Sequence, residues 1–452
     1  ERSEGDKYIE TIRKHGYRLA KDVKSVGAGE VPKSIAPTDV LANGRPTVTA
    51  ETSDSEMPNA SAVITHTAAH PSYFYLVVPV LLIGLAAFAG WFVFAGRSSR
   101  ENSASSSESI SAQNSNSRVG SPVYDLYVRG KVKVASENRE DTEAAIKLLE
   151  EAVAKDPEFA EAYTQLARAY NTMAFKYNSA AESKRYHENA EVAIEKALAL
   201  NPNLAEAHFA RGLILWTNTK GFPHEKAIQS FKRSLTLDPN QDETHHQLSV
   251  VYSHIGLLDE AERSVNRALE INPNNTLARF RAGVYKQYQG KFEEAIAIFK
   301  TIPRDVTPLL VDRSTAETLI QMGRSQDAEA IAEDYLTRYP QDEGGSFTSV
   351  KALLLAKAGK REEAETAAAE AVEIGSGYGH FHHTAYNIAS AYAVLNMPGE
   401  AVKWLTVAAD NGFPNYPYFD IDPNLNTIRD DRHFVEFMAK LKQQWEQYKK
   451  LA

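Results

Sequence analysis

The sequence predicts a mainly α protein that consists of a helical solenoid, one transmembrane helix and a short β-hairpin. Three observations predict this fold class. An uncharged apolar run covers residues 73–96, Ala-rich amphipathic segments fill the chain from residue 123 onward, and apolar residues recur there every 34 positions. A fixed period of this length is typical of repeat architectures. The run therefore separates a short N-terminal part from a repeat array of more than 300 residues.

The composition limits the classes of function. The 452 residues carry a net charge of −9 and no cysteine. The charge argues against a polybasic nucleic-acid binder, and the lack of cysteine excludes disulfides, thiolate metal ligands and thiol catalysis. The sequence has no phosphate-binding glycine loop, nucleophile elbow or HExxH motif. It therefore predicts a non-enzyme that uses no cofactor.

The first twenty residues have the pattern of a β-hairpin. Residues 8–12 are rich in β-branched and aromatic side chains, a basic turn follows, and residues 17–19 resume a strand. Gly16 can adopt the positive φ that such a turn requires. The basic tip of a hairpin can contact phosphates or enter a minor groove.

The segment YIETIRKHGYRL closely resembles the C-terminal wing of OmpR/ToxR-type winged-helix DNA-binding domains. The resemblance implies that Arg13, Lys14 and Arg18 contact DNA and that Gly16 and Tyr17 shape the hairpin. The resemblance covers about a dozen residues, the predicted wing occupies residues 1–20, and the sequence lacks the recognition helix of such a domain. We therefore expect the 452-residue chain by itself to bind DNA weakly or not at all.

Residues 73–96 are predicted to form a transmembrane helix. About 20 apolar residues, at about 1.5 Å each, cross a hydrocarbon core of about 30 Å. Tyr73, Tyr75 and Trp91 lie near the ends, where aromatic side chains suit the membrane interface. The alternatives are a buried core helix and a signal peptide, but the run has no polar face and is internal and long. Residues 21–72 and 97–122, rich in small and polar residues, are predicted to be flexible linkers.

Small residues within the run could let two spans pack into a homodimer. These residues are Gly84, Ala86, Ala87, Ala89 and Gly90. A span without specific packing fits the sequence equally well, because small residues are common in membrane helices.

The repeat array is predicted over residues 123–445. Ala227, Ala261 and Ala295 are spaced by 34 residues. Other positions keep the same phase, namely Phe231, Val265 and Phe299 in one and Pro239 and Pro273 in another. A proline ends each second helix because the residue before it is pushed out of the α region. This pattern resembles the tetratricopeptide repeat (TPR) and predicts a TPR α-solenoid of roughly eight units.

A TPR solenoid places the first helix of each repeat along a concave groove. The register puts seven residues on that side, Arg168, Asn171, Phe209, Trp216, His246, Phe280 and Gln287. They would bind an extended peptide, a protein helix or another ligand. The alternative is that several of the aromatic residues pack between repeats.

Two groups of histidines are candidates for metal ligands. His380, His382 and His383 lie in a Gly-rich stretch, and His245 and His246 lie in another repeat. Neighbouring histidines on one helix point in different directions, whereas a metal needs converging ligands. The sequence therefore predicts no metal site.

Residues 412–445 resemble the tail that closes TPR arrays in CadC-like membrane-anchored transcriptional regulators. The resemblances together imply a one-pass regulator of the bacterial inner membrane. Its cytoplasmic winged helix would bind promoter DNA, and its periplasmic TPR domain would sense a ligand or protein partner. The alternative is a membrane-anchored TPR scaffold for protein assembly with no DNA role.

The charges near the apolar run favour the opposite orientation. No lysine or arginine occurs from Pro46 to Gly96, whereas Arg97, Arg100 and Arg118 follow the run. The positive-inside rule would place the repeats in the cytoplasm. We adopt the orientation that the winged-helix resemblance implies, because DNA is cytoplasmic.

Overall fold

The structure is a computed structural model that describes residues 9–12, 16–19, 118–136, 138–176 and 180–452. The predicted transmembrane helix at 73–96, the linker at 21–72, and Arg13 and Lys14 lie outside these residues. Within the described ranges, no helix combines the length and the apolar character that crossing a bilayer requires. The chain divides into two compact units, residues 1–80 and 81–452.

The first unit contains two short paired strands. Strand β1 (Ile9–Ile12) runs antiparallel to β2 (Gly16–Leu19), with Ile9 opposite Leu19 and Ile12 opposite Gly16. The strands lie where β-branched residues and a glycine turn predict a hairpin. The assignment of this segment to a winged-helix domain stays a prediction.

The second unit is a solenoid of helix pairs. Its described residues form eighteen α-helices, and the first sixteen make eight consecutive pairs. The first helices of the pairs are α1 (Pro122–Val134), α3 (Ala160–Lys176), α5 (Ala205–Leu215), α7 (Asp242–His254), α9 (Thr276–Tyr288), α11 (Pro308–Gln321), α13 (Ser346–Lys357) and α15 (Phe381–Val394). The second helices are α2 (Arg139–Lys155), α4 (Ala180–Leu200), α6 (His224–Leu237), α8 (Leu258–Ile271), α10 (Phe292–Phe299), α12 (Ser325–Arg338), α14 (Arg361–Gly375) and α16 (Pro398–Asp410). The mainly α solenoid that the sequence predicts is therefore confirmed.

Small residues let the two helices of a pair approach each other. Ala227, Ala261 and Ala295 are fully buried. A Cβ atom on Gly283 would lie 2.5 Å from Cε1 of Phe299, so a larger residue would require the ring to move. The second helices end where the sequence predicts, for example at the extended residue Asp238 before Pro239.

The chain continues after the eighth pair as α17 (Tyr416–Ile421), a 3-10 helix (Pro423–Ile428) and α18 (Arg432–Tyr448). Helix α18 packs on α16 and so covers the end of the array, as the sequence predicts for a capping element. The residues between α16 and α18 also return to earlier repeats. We call residues 411–425 the closing segment.

Three hydrogen bonds connect this C-terminal region to the middle of the array. The Asn415 side-chain amide donates to the Ser253 carbonyl at 2.8 Å, and Trp445 Nε1 donates to the Gly256 carbonyl at 3.0 Å. Gln321 Nε2 donates to the Tyr418 hydroxyl at 2.9 Å. The C-terminal region therefore packs against the fourth and sixth repeats as well as the eighth.

Candidate functional site

The closing segment is buried against the first helices of the later repeats. The side chains of Phe413, Asn415 and Phe419 are at most 1% exposed. The Tyr386 hydroxyl on α15 donates to Asp422 Oδ2 at 2.6 Å, and burial raises the pKa of the Asp422 carboxyl. The segment thus covers much of the surface that the first helices of the later repeats would present to a ligand.

Four predicted groove residues are buried in this region. Trp216, His246, Phe280 and Gln287 are between 1% and 7% exposed. Their side chains therefore do not form an open surface, and the structure corrects the prediction for them. The alternative, that the aromatic residues pack between repeats, fits Trp216, whose ring contacts His254 of the next repeat. Phe280 packs within its own repeat, against Phe299.

The contacts of these residues explain their burial. Trp216 Nε1 donates to His224 Nδ1 at 3.0 Å, and its ring meets the His254 ring edge-on at 4.9 Å. The Phe280 ring lies 5.7 Å from that of Phe299. Gln287 Nε2 donates to Gln321 Oε1 at 3.1 Å and so joins two neighbouring repeats.

The first four repeats carry an open depression that we call the acidic groove. Its volume is about 480 Å³. The first helices of all four repeats contribute to it, together with the loop before α7. Its charged residues are Glu161, Glu206, Asp238, Asp242, Glu243 and Arg168, and Tyr127 and Phe209 supply aromatic surface. Five carboxylates and one guanidinium therefore line the same depression.

Hydrogen bonds hold the carboxylates of the acidic groove in place. Arg168 Nη2 donates to Glu243 Oε1 at 2.6 Å, and the Arg168 guanidinium lies 5.2 Å from the centre of the Phe209 ring. Glu206 accepts from Lys131 Nζ at 2.7 Å and from Gln165 Nε2 at 3.0 Å. The side chains are thus arranged by contacts between repeats that are adjacent or two apart along the array.

Two further predicted groove residues lie close to this depression. Phe209 is only 2% exposed, so its ring forms part of the groove wall and packs against the Phe231 ring behind it. Asn171 lies one turn after Arg168 on α3 and is half-buried. Its Oδ1 atom is buried and has no hydrogen-bond partner among the described residues. Of the seven predicted residues, Arg168 and Phe209 line the groove.

A second cluster lies between distant repeats. The rings of His254, His382 and His383 are buried, with centroids 4.5–5.4 Å apart. Burial lowers the pKa of His382 to about 3 and lowers the pKa values of His254 and His383 well below the usual range. The sequence did not predict this cluster, because His254 lies 128 residues before His382 and neither the period nor a local motif connects them.

Comparison with known proteins identifies the repeat. Residues 242–275, which contain α7 and α8, match the family model of the tetratricopeptide repeat. These residues form a tetratricopeptide repeat, and the array is a TPR-like solenoid. No curated protein sequence matches the chain significantly.

Three solved structures illustrate the similarity. A tetratricopeptide repeat protein from Parabacteroides merdae is 18% identical, with a TM-score of 0.42 over 62% of this chain and 99% of that chain. A thermophilic TPR protein from Thermus thermophilus is 26% identical, with a TM-score of 0.32 over 38% of this chain and 86% of that chain. Pseudomonas aeruginosa pilF is 17% identical, with a TM-score of 0.37 over 48% and 94%.

Proposed function

We propose that this chain is a protein-interaction scaffold whose acidic groove binds a basic segment of another protein. The observation that carries this proposal is that the groove stays open across four consecutive repeats, while the closing segment covers the first helices of later repeats. Repeat solenoids use extended surfaces of this kind for binding.

The charge of the groove indicates the chemistry of the partner. Five carboxylates face one guanidinium, so the groove attracts lysine and arginine side chains. The side chains of Glu206 and Glu243 are 37% and 47% exposed, and they remain accessible although each already has a partner. An extended peptide suits a groove that crosses four parallel helices, because its side chains can reach successive repeats.

Fluorescence anisotropy with labelled peptides tests this proposal. We expect a Lys/Arg-rich peptide to bind and a Glu-rich peptide of equal length not to bind, with binding weakened by added salt. The double variant Glu206→Gln and Glu243→Gln should bind the basic peptide more weakly. Each exposed charge contributes about 0.2–1 kcal/mol, which is up to about fivefold in Kd.

The matched control removes two carboxylates elsewhere. Glu293 and Glu294 are exposed on α10, outside the acidic groove. The double variant Glu293→Gln and Glu294→Gln should bind the basic peptide as the unchanged chain does. Equal weakening in both double variants would indicate attraction to the net negative charge alone and would overturn the assignment of the groove.

We further propose that this scaffold is the sensory part of a one-pass membrane regulator that binds promoter DNA. The support is the YIETIRKHGYRL segment, the antiparallel pairing of β1 with β2, and the apolar run at 73–96. In this proposal Arg13, Lys14 and Arg18 contact DNA, and the repeats lie in the periplasm. A membrane-anchored scaffold without a DNA role is the competing proposal.

Two measurements separate these proposals. The regulator requires that a chain extended by its upstream coding sequence binds DNA specifically in a mobility-shift assay, and that Arg13→Ala weakens this binding. It also requires protection of the repeats in inverted inner-membrane vesicles, whose cytoplasmic face points outward. Periplasmic repeats would lie inside such vesicles, where added protease cannot reach them. If the extended chain shows no specific DNA binding, the scaffold is favoured. If the protease cleaves the repeats in these vesicles, the proposed orientation is reversed.

A further inference from the structure

We propose that His254, His382 and His383 form a buried binding site for a divalent transition metal of the Zn²⁺ class. One ring nitrogen from each histidine lies within 4.8 Å of the other two. In tetrahedral zinc sites, with Zn–N distances of about 2.0–2.1 Å, the ligating nitrogens are roughly 3.3 Å apart. Small side-chain adjustments would therefore bring the three nitrogens to ligand distance.

The hydrogen bonding of His254 leaves a ligand atom available. Its Nδ1 donates to the Val250 carbonyl at 2.8 Å, which fixes the proton on Nδ1 and leaves the Nε2 lone pair free. Nε2 is buried and has no hydrogen-bond partner among the described residues. Metal-ligating histidines usually donate their other ring N–H to a carbonyl or carboxylate in this way.

The surroundings of His382 leave its nitrogens available as well. Both ring nitrogens are buried, and neither has a hydrogen-bond partner in the described part of the chain. The Asn411 backbone lies close enough to affect the His382 pKa but outside hydrogen-bond geometry. Buried polar atoms without partners are costly, and a bound metal would satisfy one of the two nitrogens.

The protonation state and the donor set indicate the class of metal. Burial keeps the three imidazoles neutral at neutral pH, so no proton competes with the metal. Three nitrogen donors suit Zn²⁺, Co²⁺, Ni²⁺ or Cu²⁺, whereas Mg²⁺ and Ca²⁺ prefer oxygen. Arg281 and Arg313 oppose a cation here, and Arg313 is itself paired with Glu317 at 3.6 Å.

The positions of the ligands give the metal a structural role. His254 ends α7 in the fourth repeat, and His382 and His383 lie in the first turn of α15 in the eighth. The Asn415–Ser253 hydrogen bond connects the closing segment, which follows the eighth repeat, to the same end of α7. A metal bound to all three histidines would fasten the eighth repeat to the fourth.

Metal titration of the complete 452-residue chain, prepared without a polyhistidine tag, tests this proposal. We expect one Zn²⁺ per chain in calorimetric titration of chelator-treated protein. Co²⁺ should give the intense visible absorption of a tetrahedral site. This measurement uses the unchanged chain and so does not depend on whether a variant folds. His254→Gln and His382→Gln each remove a direct ligand. Each should lower the metal affinity by more than the roughly 10- to 100-fold that results from losing an outer-shell partner.

The control addresses the histidines outside the proposed site; the chain has 13 histidines, and three of them are the proposed ligands. His433 is 69% exposed on α18, and His433→Gln should leave the stoichiometry and the Co²⁺ spectrum unchanged. Binding that survives in both His254→Gln and His382→Gln, or a Co²⁺ spectrum of octahedral type, would overturn the proposal. Circular dichroism of each variant distinguishes loss of a ligand from loss of fold.

Discussion

At the scale of single residues, the absence of one carbon atom sets how closely two helices pack. Gly283 on α9 faces Phe299 on α10, and an added Cβ would lie 2.5 Å from Cε1 and 2.8 Å from Cδ1 of that ring. Phe299 is 2% exposed and has little room to move. The glycine is therefore required by its neighbour and not by its own backbone conformation.

We expect Gly283→Ala to lower the free energy of unfolding. Overpacking a core costs about 1–3 kcal/mol, and the better helix propensity of alanine returns about 1 kcal/mol. The control is Gly399→Ala in the first turn of α16, where no atom lies within 4 Å of the added Cβ. Urea unfolding should show a lower free energy of unfolding for Gly283→Ala and no decrease for Gly399→Ala. Equal stability of the two variants would show that the ring of Phe299 moves aside.

The sequence predicts the pattern of small residues but not the exposure of the large ones. The period identifies Ala227, Ala261 and Ala295 as equivalent positions, because each of these repeats has a small residue there. The repeat register places Trp216 and Phe280 on the groove side. The register alone does not show whether other residues bury these side chains. At Trp216 the surroundings include a residue more than 100 positions away, His380, whose ring centroid lies 6.5 Å from that of Trp216.

At the scale of elements, an unusual cap starts helix α13. The two residues before Ser346 are Gly344 and Gly345, with φ of 69° and 64°, so neither supplies a capping side chain. Asp342 performs this role from further upstream. Its Oδ1 accepts from the Phe347 N–H at 2.9 Å and its Oδ2 accepts from the Thr348 N–H at 2.7 Å.

We expect Asp342→Ala to destabilise the seventh repeat. The substitution leaves two buried N–H groups without partners, and loss of a capping side chain costs about 0.5–2 kcal/mol. Asp342→Asn keeps one acceptor oxygen and should lose less stability than Asp342→Ala. Asp327→Ala in the first turn of α12 is the control, because its 53% exposed carboxylate pairs with Arg324 at the surface. Thermal unfolding measures all three, and an Asp342→Ala midpoint equal to that of the control would contradict the capping role.

The closing segment shows where sequence reasoning at this scale ends. The capping of the array by α18 follows from the rule that a solenoid must cover its last apolar face. The hydrogen bond from Asn415 to Ser253 joins residues 162 positions apart and is not repeated along the array. The repeat period therefore cannot predict it. The convergence of His254 with His382 has the same origin.

At the scale of the molecule, such contacts change how the array is expected to unfold. In an open solenoid each repeat contacts only its neighbours, so stability is a sum of local terms. Here Asn415 contacts the fourth repeat and Lys232 on α6 donates to the Leu451 carbonyl at 2.6 Å. Repeats three to eight are therefore coupled, and a group that titrates in the interior affects the whole unit.

Buried histidines make this unit sensitive to acid. Burial lowers the pKa values of His224 and His246 to about 3, well below the ordinary histidine value. His224 accepts a hydrogen bond from Trp216 at Nδ1, which protonation would break. Between about pH 6.5 and pH 3 the unfolded chain binds protons that the folded chain does not, so the free energy of unfolding falls as pH falls.

We therefore expect the chain to lose stability steeply between pH 7 and pH 5, by roughly 1 kcal/mol per pH unit for each such histidine below pH 6.5. Urea unfolding at a series of pH values measures the slope. His246→Gln removes one titrating group and should make the slope shallower, even where it also lowers stability at pH 7. A slope that stays the same in His246→Gln would mean that this histidine titrates equally in the folded and unfolded chain, and hence that the interior at α7 is open to water.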